Sequence, residues 1–321
     1  MADGGGSIAW VGSVTVTLAP EDGRRDKPDI RFDVFWILLV FALTSAPTLL
    51  ATFAPPDGQD GFGTIMFVND FAQYEAAMTE GARDTGWLVH DHLSPEAHEP
   101  VFMFPLYSAI GKLAAALALP AIVVYRVFEL LGRLLVLLTI VRVARTLFPA
   151  AGRLAIVLGT LGGGLGVWAA LLQAAVGVAE PYGGNGSYEL NTYAALFAPP
   201  HVTIGMALTL AIVVILVQAE DHWSIGRAVQ LGLATTALCL LHPFNVATLG
   251  IASIALALAP ARPNPNAVRF GPRHLHSTLA MLVLGSLAAP FVLYNAATFT
   301  MDPFWGQAYG AQNVLPSPTP H

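Results

Sequence analysis

Residues 34–54 read VFWILLVFALTSAPTLLATFA, with no charged side chain from one end to the other. A helix needs about 20 mainly apolar residues to cross a bilayer, so this stretch decides the class of the chain. Outward from it, residues 121–147, 154–178, 201–218, 228–244, 245–260 and 277–298 meet the same description, which makes seven spans. Residues 101–119 (VFMFPLYSAIGKLAAALAL) are an eighth candidate, marginal in length, carrying Lys112 and flanked by Pro100 and Pro120. The composition agrees: of 321 residues 55% are hydrophobic and 11% charged, against roughly 25% charged in a soluble domain. Mean hydropathy is +0.61. A soluble globular enzyme and a disordered chain are excluded. Net charge −6 with pI ≈ 5.8 argues against nucleic acid as a partner. The single cysteine, Cys239, excludes a disulfide framework and a cysteine-based zinc site. The expected fold class is all-α, a polytopic transmembrane helix bundle of about seven spans, or eight if 101–119 crosses.

Orientation follows from the basic residues, because Lys and Arg beside membrane spans stay on the cytoplasmic side. Put the N-terminus inside and let 101–119 lie in the interface or re-enter. The inner side then holds Arg24, Arg25, Lys27, Arg31, Arg142, Arg145, Arg153, Arg227, Arg262, Arg269 and Arg273, eleven of the 15 basic residues. Arg83 alone falls outside, while Lys112, Arg126 and Arg133 lie within apolar segments. If 101–119 crossed, seven of those eleven would change sides. Seven spans plus one partly inserted helix is therefore the preferred topology. Residues 1–33 form a polar, Gly-rich cytoplasmic tail without a signal-peptide run. Residues 34–298 are the transmembrane module and 299–321 an outer C-terminal tail. The expected location is a bacterial plasma (inner) membrane, multi-pass, with the N-terminus cytoplasmic.

The polar residues gather in two outer loops. Loop 55–100 holds nine acids, Asp57, Asp60, Asp70, Glu75, Glu80, Asp84, Asp91, Glu96 and Glu99. It is far longer than an ordinary connector, and long structured loops are often functional. Its middle, NDFAQYEAAM, places Asp70, Gln73, Tyr74 and Ala77 on one helical face, with Asn69 or Asp70 as the cap. The alternative is a solvated amphipathic helix lying on the membrane. Loop 179–200 (AEPYGGNGSYELNTYAALFAPP) combines Glu189, Asn191 and Tyr193 with further acids, amides and tyrosines. Such a mixture suits a sugar, held by hydrogen bonds to its hydroxyls and by ring stacking; an interfacial aromatic belt is the other reading. His201 follows Pro199-Pro200 at the mouth of a span, and His242 precedes Pro243 near the outer end of another.

Arg126, Glu129 and Arg133 fall on one stripe of the 121–147 helix, so Glu129 can pair with both arginines. Charge inside a bilayer is costly and usually functional. Arg126, near the outer end, has the paired N–H donors that hold a phosphate; a self-neutralised triad that fixes helix packing is the competing role. His90, Asp91, His92 and His98 form the one cluster that hints at zinc, and His90 and His92 share a face only in an extended strand. A hard divalent cation such as Mg or Mn would need loop carboxylates, for example Asp70 with Glu189. The run GTLGGGLG (159–166) lacks the Lys-Ser/Thr of a phosphate loop and reads as helix packing.

A cytoplasmic N-terminus, one span and a long acidic outer loop whose helix carries an aspartate resemble the GT-C superfamily of polytopic glycosyltransferases. The matching pieces are Asp70 in VNDFAQY, the loop's end HEPVFMFPLYSAIGKLA, and the arginine-bearing helix YRVFELLGRLLVLLTIVRVARTLF. The His-Glu-Pro and Phe-Pro-Leu-Tyr pieces are similar to the His-Pro-Pro-Leu-Tyr stretch of bacterial members with the dolichyl-phosphate-mannose mannosyltransferase-like fold. The likeness covers roughly 34–150 by pattern and the rest by topology. Paired acids near the start of the first loop are common in the family; here Asp57 and Asp60 are offset, and only Asn69-Asp70 is compact. Members commonly continue with more spans or an outer domain, so a C-terminally truncated member or core module is expected.

The resemblance implies transfer of a sugar from a polyprenyl-phosphate-linked donor to a glycan, lipid or protein acceptor at the outer membrane face. Asp70 would be the catalytic base, Arg126 would hold the lipid phosphate, and Asn69, Gln73, Tyr74, Glu189, Asn191, Tyr193 and His201 would contact sugar or acceptor. The competing function is a non-enzymatic transporter or a subunit of an envelope-polymer export machine. A transporter should line a midplane path with polar groups. Outside 112–133 the spans are nearly free of charge, which favours chemistry at the surface.

Overall fold

The computed structural model describes residues 29–55, 68–83, 86–91, 94–162, 192–219, 225–243, 245–246, 249–250 and 289–312. Helix α1 spans Ile30–Phe53 and contains the quoted stretch up to its last residue. Asp29 caps it, accepting a hydrogen bond from the Phe32 N–H at 3.2 Å. Among the described residues it is the one helix both long and apolar enough to cross a membrane. Its surfaces are inverted relative to a soluble helix. Asp33, Thr44, Ser45 and Thr48 are buried, while Val34, Phe35, Leu38, Leu43, Leu50 and Phe53 are 49–65% exposed.

The second long helix, α4 (Ala121–Leu147), repeats the inversion. Arg126 and Glu129 are 3% exposed and Arg133 0%, while Val127 is 57% exposed and Leu131 and Leu138 are nearly as open. The two long helices run antiparallel. Arg145 near the end of α4 donates to both oxygens of Asp33 at the start of α1, at 2.6 and 3.2 Å. Arg126 near the start of α4 donates through Nε to Thr52 Oγ1 near the end of α1, at 2.9 Å. The chain therefore leaves α1 and enters α4 at the same end of the pair.

Two short helices fill the interval, α2 (Val68–Ala82) and α3 (Pro105–Leu117). Helix α3 has 13 residues, about 20 Å at 1.5 Å per residue, well short of a ~30 Å hydrocarbon core. Glycine lets α2 and α3 touch backbone to backbone: a Cβ on Gly111 would lie 1.9 Å from the Met78 carbonyl oxygen, and one on Gly81 2.3 Å from that of Ser108. Between the two helices, Val89 and Val101 form an isolated antiparallel bridge, with N–H···O distances of 2.8 and 3.0 Å. No strand occurs among the described residues, and the fold is all-α.

The remaining helices are α5 (Gly152–Leu161), α6 (Thr192–Ala195), α7 (Pro200–Ala219), α8 (Ile225–Leu241) and α9 (Pro303–Gln312), with a further helical stretch at 289–301. Helix α5 returns beside α1, where Trp36 Nε1 donates to Thr160 Oγ1 at 2.8 Å. Helix α7 packs along α4, and Gly132 makes room: a Cβ there would fall 2.2 Å from Thr203 Oγ1. Helix α8 joins α7 through Ile212, Leu231 and Leu238.

Three placements differ from the sequence reading. Helix α2 begins at Val68, so Asn69 and Asp70 lie in its first turn rather than at its cap; a carboxylate there still complements the positive end of the helix. Residues 192–200 do not project as the end of an outer loop. Leu196 packs with Val136 and Leu137 midway along α4, and Arg133 lies 5.7 Å from the Phe197 ring centre. The physical reason is that TYAALFAPP carries no charge and mostly apolar side chains, so burial beats solvation. The expected span at 228–244 ends as helix α8 at Leu241, before His242-Pro243, where the proline cannot continue the ladder. Residues 1–28, 163–191 and 251–288, which carry the tail and much of three expected spans, lie outside the described residues.

Candidate functional site

The stripe Asp70, Gln73, Tyr74 and Ala77 exists on α2, with Tyr74 and Ala77 buried and Asp70 and Gln73 half-buried. Tyr74 stacks on Tyr107 of α3, ring centres 4.2 Å apart and planes 10° apart. Tyr107 stacks in turn on Tyr125 of α4 at 6.2 Å, and Phe71 meets Tyr125 edge-on at 5.3 Å. This aromatic column ties α2 and α3 to the start of α4. His201, in the first turn of α7, joins it: Nδ1 lies 2.6 Å from Tyr107 Oη, and its ring meets Tyr74 edge-on at 5.3 Å. His242, just past α8, stacks on His201 at 6.1 Å.

Beside this column lies a cavity of about 170 Å³. Phe102, Phe104, Tyr107, His201, His242, Asn295 and Phe299 line it together with aliphatic residues of α3 and α8, and among the described residues no Asp, Glu, Lys or Arg takes part. Phe104 has a left-handed backbone, φ 54°, immediately before Pro105. That conformation is unfavourable for a non-glycine residue and persists where the surroundings enforce it. It turns the chain so that Phe104 borders this cavity and a smaller one of about 10 Å³ shared with Gln73, His90, Asp91 and Trp305.

Of the residues singled out from the sequence, Tyr74 and His201 come together, and Gln73 lies near them on the smaller cavity. Asp70 borders neither cavity. Burial alone pushes its carboxyl above the ordinary 3.8, which makes its ionised form the more basic. Arg126 is held by Glu129 through Nη1 and by Thr52 through Nε, so the role of packing triad describes its surroundings better than that of an open phosphate site. Arg133 reaches Glu129, the Thr44 carbonyl and Thr48 Oγ1. Tyr193, on α6, meets the Phe197 ring edge-on at 5.6 Å. Asn69 sits in the first turn of α2, and Glu189 and Asn191 lie outside the described residues.

The histidine cluster has structural partners. His90 pairs with Glu80 at 3.1 Å. His98 accepts from the Asp91 N–H through Nε2 and donates through Nδ1 to the Glu96 carbonyl, both at 2.8 Å, and lies flat on Phe304 at 4.0 Å. His92 lies outside the described residues. No group of three possible metal ligands occurs among the described residues.

Tyr107, Asn295 and Phe299 were missed by sequence reasoning. Tyr107 stood in PLYSAIG without a role, and its link to His201 spans 94 positions, a distance at which spacing carries no information. No family model, curated protein or solved structure matches this chain. What fold and site define is an all-helical protein with, among the described residues, one helix long and apolar enough to cross a membrane and a cavity lined by aromatic rings and imidazoles.

Proposed function

We propose that the chain is a multi-pass plasma-membrane protein of the GT-C type that moves a sugar from a polyprenyl-phosphate donor to an acceptor at the outer face. Support for the bilayer comes from the inverted helices. Large apolar side chains on α1, α4, α5 and α8 point outward, while Arg126, Glu129, Arg133, Thr44 and Thr160 are buried. In water such a surface would be an extensive apolar patch; in lipid it is the expected one. Support for the topology comes from the charged end, where Asp29 and Asp33 meet Arg153 and Arg145, as expected of a cytoplasmic boundary. Seven spans and a cytoplasmic N-terminus complete the proposal.

The observation that carries the transfer reading is a cavity on the scale of one sugar ring, faced with aromatic rings and neutral polar groups, at the end of the bundle that also holds Asp70. In the proposed reaction Asp70 takes the proton of an acceptor hydroxyl, directly or through one water. The hydroxyl oxygen forms a bond to the anomeric carbon of the donor sugar. The carbon–oxygen bond to the lipid phosphate breaks, and the phosphate leaves with the electron pair. The polyprenyl tail stays in the bilayer along the apolar helix faces. Arg126, Glu129 and Arg133 hold α1 against α4 and so position the site without touching substrate.

The test is transfer by the full chain in proteoliposomes, with radiolabelled polyprenyl phosphosugars as donors. Asp70→Asn should lower the rate by about 100-fold or more, the usual contribution of a positioned base. Wild-type protein that transfers from no such donor, or Asp70→Asn that transfers normally, would overturn the proposal. Sidedness is tested in a Cys239→Ala background: Glu75→Cys should react with an impermeant thiol reagent in intact cells, and Ala150→Cys only after permeabilisation. Labelling of both in intact cells would remove the topology.

A further inference from the structure

The basic residues that do not fall on the inner side of the bundle are Arg83, Lys112, Arg126 and Arg133. Glu129 accounts for two of them, pairing with Arg126 and Arg133. The structure brings the other two to one place. The end of α2 crosses α3 backbone to backbone, with the Ala82 nitrogen 3.0 Å from a Cβ built on Gly111. Arg83 and Lys112 are the residues that follow these two. Arg83 is exposed and forms no ion pair with the described residues. The chain then passes Gly86, whose φ of 95° is open to glycine, and Lys112 Nζ lies over the Trp87 ring, 5.4 Å from its centre. Val89 is buried, while Trp87 is 46% exposed.

Helix α3 has two faces. Tyr107, Ile110, Gly111 and Ala114 are buried. Leu113 and Leu117 are 39% and 55% exposed, and Leu119 just past the helix end is 45% exposed. An outward apolar face with a tryptophan and cations beside it is the pattern of a helix lying in a membrane interface. Its level in the bundle agrees, because only residues 118–120 separate α3 from α4, and the first turns of α4 meet the end of α1 through Arg126 and Thr52. We infer that this face is a docking surface for anionic phospholipid of the outer leaflet, with Leu113, Leu117 and Leu119 in the acyl boundary, Trp87 at headgroup level, and Arg83 and Lys112 on the headgroup phosphates. The inference rests on the bilayer reading above and adds a lipid partner for the first outer loop. Charge selects the occupant. A guanidinium takes two phosphate oxygens side by side, and a lysine reaches the headgroups while its stem lies on apolar surface. A second copy of the chain, docked face to face, would bring like charges onto like charges.

The experiment uses the full chain with Cys239→Ala in nanodiscs, one copy per disc. A bimane label is placed on Leu117→Cys or, as a control in the middle of α1, on Leu43→Cys. Quenching is read with brominated phosphatidylglycerol against brominated phosphatidylcholine. Both labels should be quenched by lipid. At Leu117 phosphatidylglycerol should be preferred about 25-fold, fivefold for each cation, and the preference should shrink with salt. Arg83→Gln and Lys112→Gln should each cost about fivefold, the double variant should show no preference, and Arg83→Lys should keep most of it. The Leu43 label should stay quenched alike in every variant, which also shows that they are folded. A Leu117 label that lipid does not reach, or that both lipids quench equally, would overturn the inference while leaving the bilayer reading standing. So would a preference that survives in the double variant. A Leu43 label that neither lipid quenches would overturn the bilayer reading itself.

Discussion

At the α1–α4 interface three full charges lie within the bundle, Arg126, Glu129 and Arg133, none more than 3% exposed. In the cavity beside α3 and α7 the polar side chains among the described residues are Tyr107, His201, His242 and Asn295, none with a permanent charge. The interface answers charge with charge, and threonines complete the arginines' hydrogen bonds. Thr52 Oγ1 accepts from Arg126 and donates to the Thr48 carbonyl, and Thr48 Oγ1 accepts from Arg133. Pro47 lies within this ladder and removes one helical N–H donor, and Arg133 also donates to the Thr44 carbonyl in the same turn. The polar groups described on the cavity are neutral. Charge at the α1–α4 interface serves cohesion, whereas the cavity is built from side chains without a permanent charge.

The largest effect should come from breaking the ion triad at its centre. Glu129→Ala leaves two buried arginines facing each other, and removing one partner of a buried pair costs about 3–5 kcal/mol. Thermal unfolding in detergent should show that loss. Glu129→Gln should recover part of it by hydrogen bonding. If Glu129→Ala unfolds within about 1 kcal/mol of wild type, the triad is not what holds α1 to α4, and the contrast with the cavity collapses.

Next is the α2–α3 contact that builds the aromatic column. Gly111→Ala would place a methyl group 1.9 Å from the Met78 carbonyl oxygen, and backbone cannot rotate away as a side chain can. Overpacking of this kind costs about 1–3 kcal/mol, and here it should fall at the upper end. The cavity is lined from α3, so ligand affinity should drop with stability. In Glu129→Ala, by contrast, any protein that remains folded should keep its affinity. Affinity retained in a folded Gly111→Ala protein would separate the column from the site.

How much of this could be read from the chain varies with the range of the interaction. Helix α4 was legible from end to end, because an apolar run bounded by Pro120 needs no knowledge of the rest of the molecule, and the spacing of Arg126, Glu129 and Arg133 already pairs them. The stripe of α2 was legible for the same reason. Thr44, Thr48 and Thr52 share a face by spacing, yet periodicity within α1 cannot say that this face meets arginines about 80 positions later. The same limit hid Tyr107 and Asn295, whose roles exist only once four helices meet. The 192–200 segment was misplaced because its tyrosine and proline content resembles a loop, while its burial is decided by apolar neighbours on α4.

A smaller effect, opposite in sign, is expected at Asp70. Burial raises its carboxyl above 3.8, so the folded chain binds that proton more tightly than the unfolded one. The contribution of Asp70 to stability is therefore greatest below pH 3.8 and declines as pH rises through the folded value, where the charge appears in a half-buried position. Asp70→Asn removes the penalty. Its melting temperature should exceed wild type slightly at pH 7, and the difference should vanish as pH falls below 3.8. Lost transfer together with gained stability would mark a group kept for chemistry rather than cohesion, the reverse of Glu129. A destabilised Asp70→Asn would place Asp70 among the structural charges instead.

The smallest effect separates two ion pairs of the same chemistry at the charged end. Arg145–Asp33 is bidentate and its side chains are 18% and 13% exposed; Arg153–Asp29 is open, at 63% and 34%. A double-mutant cycle is needed, because Asp29 also caps α1 and a single Asp29→Ala would lose about 1 kcal/mol of capping besides the pair. The cycle cancels that loss. An exposed pair should couple by about 0.2–1 kcal/mol and fade with salt, and Arg145–Asp33 should couple by about 1.5–3 kcal/mol and fade less. The smaller value assumes that Asp29 faces water. If Arg153–Asp29 couples as strongly as its buried neighbour and resists salt, the surroundings must be less polar than water, and the start of α1 would then be less solvated than its 34% exposure implies.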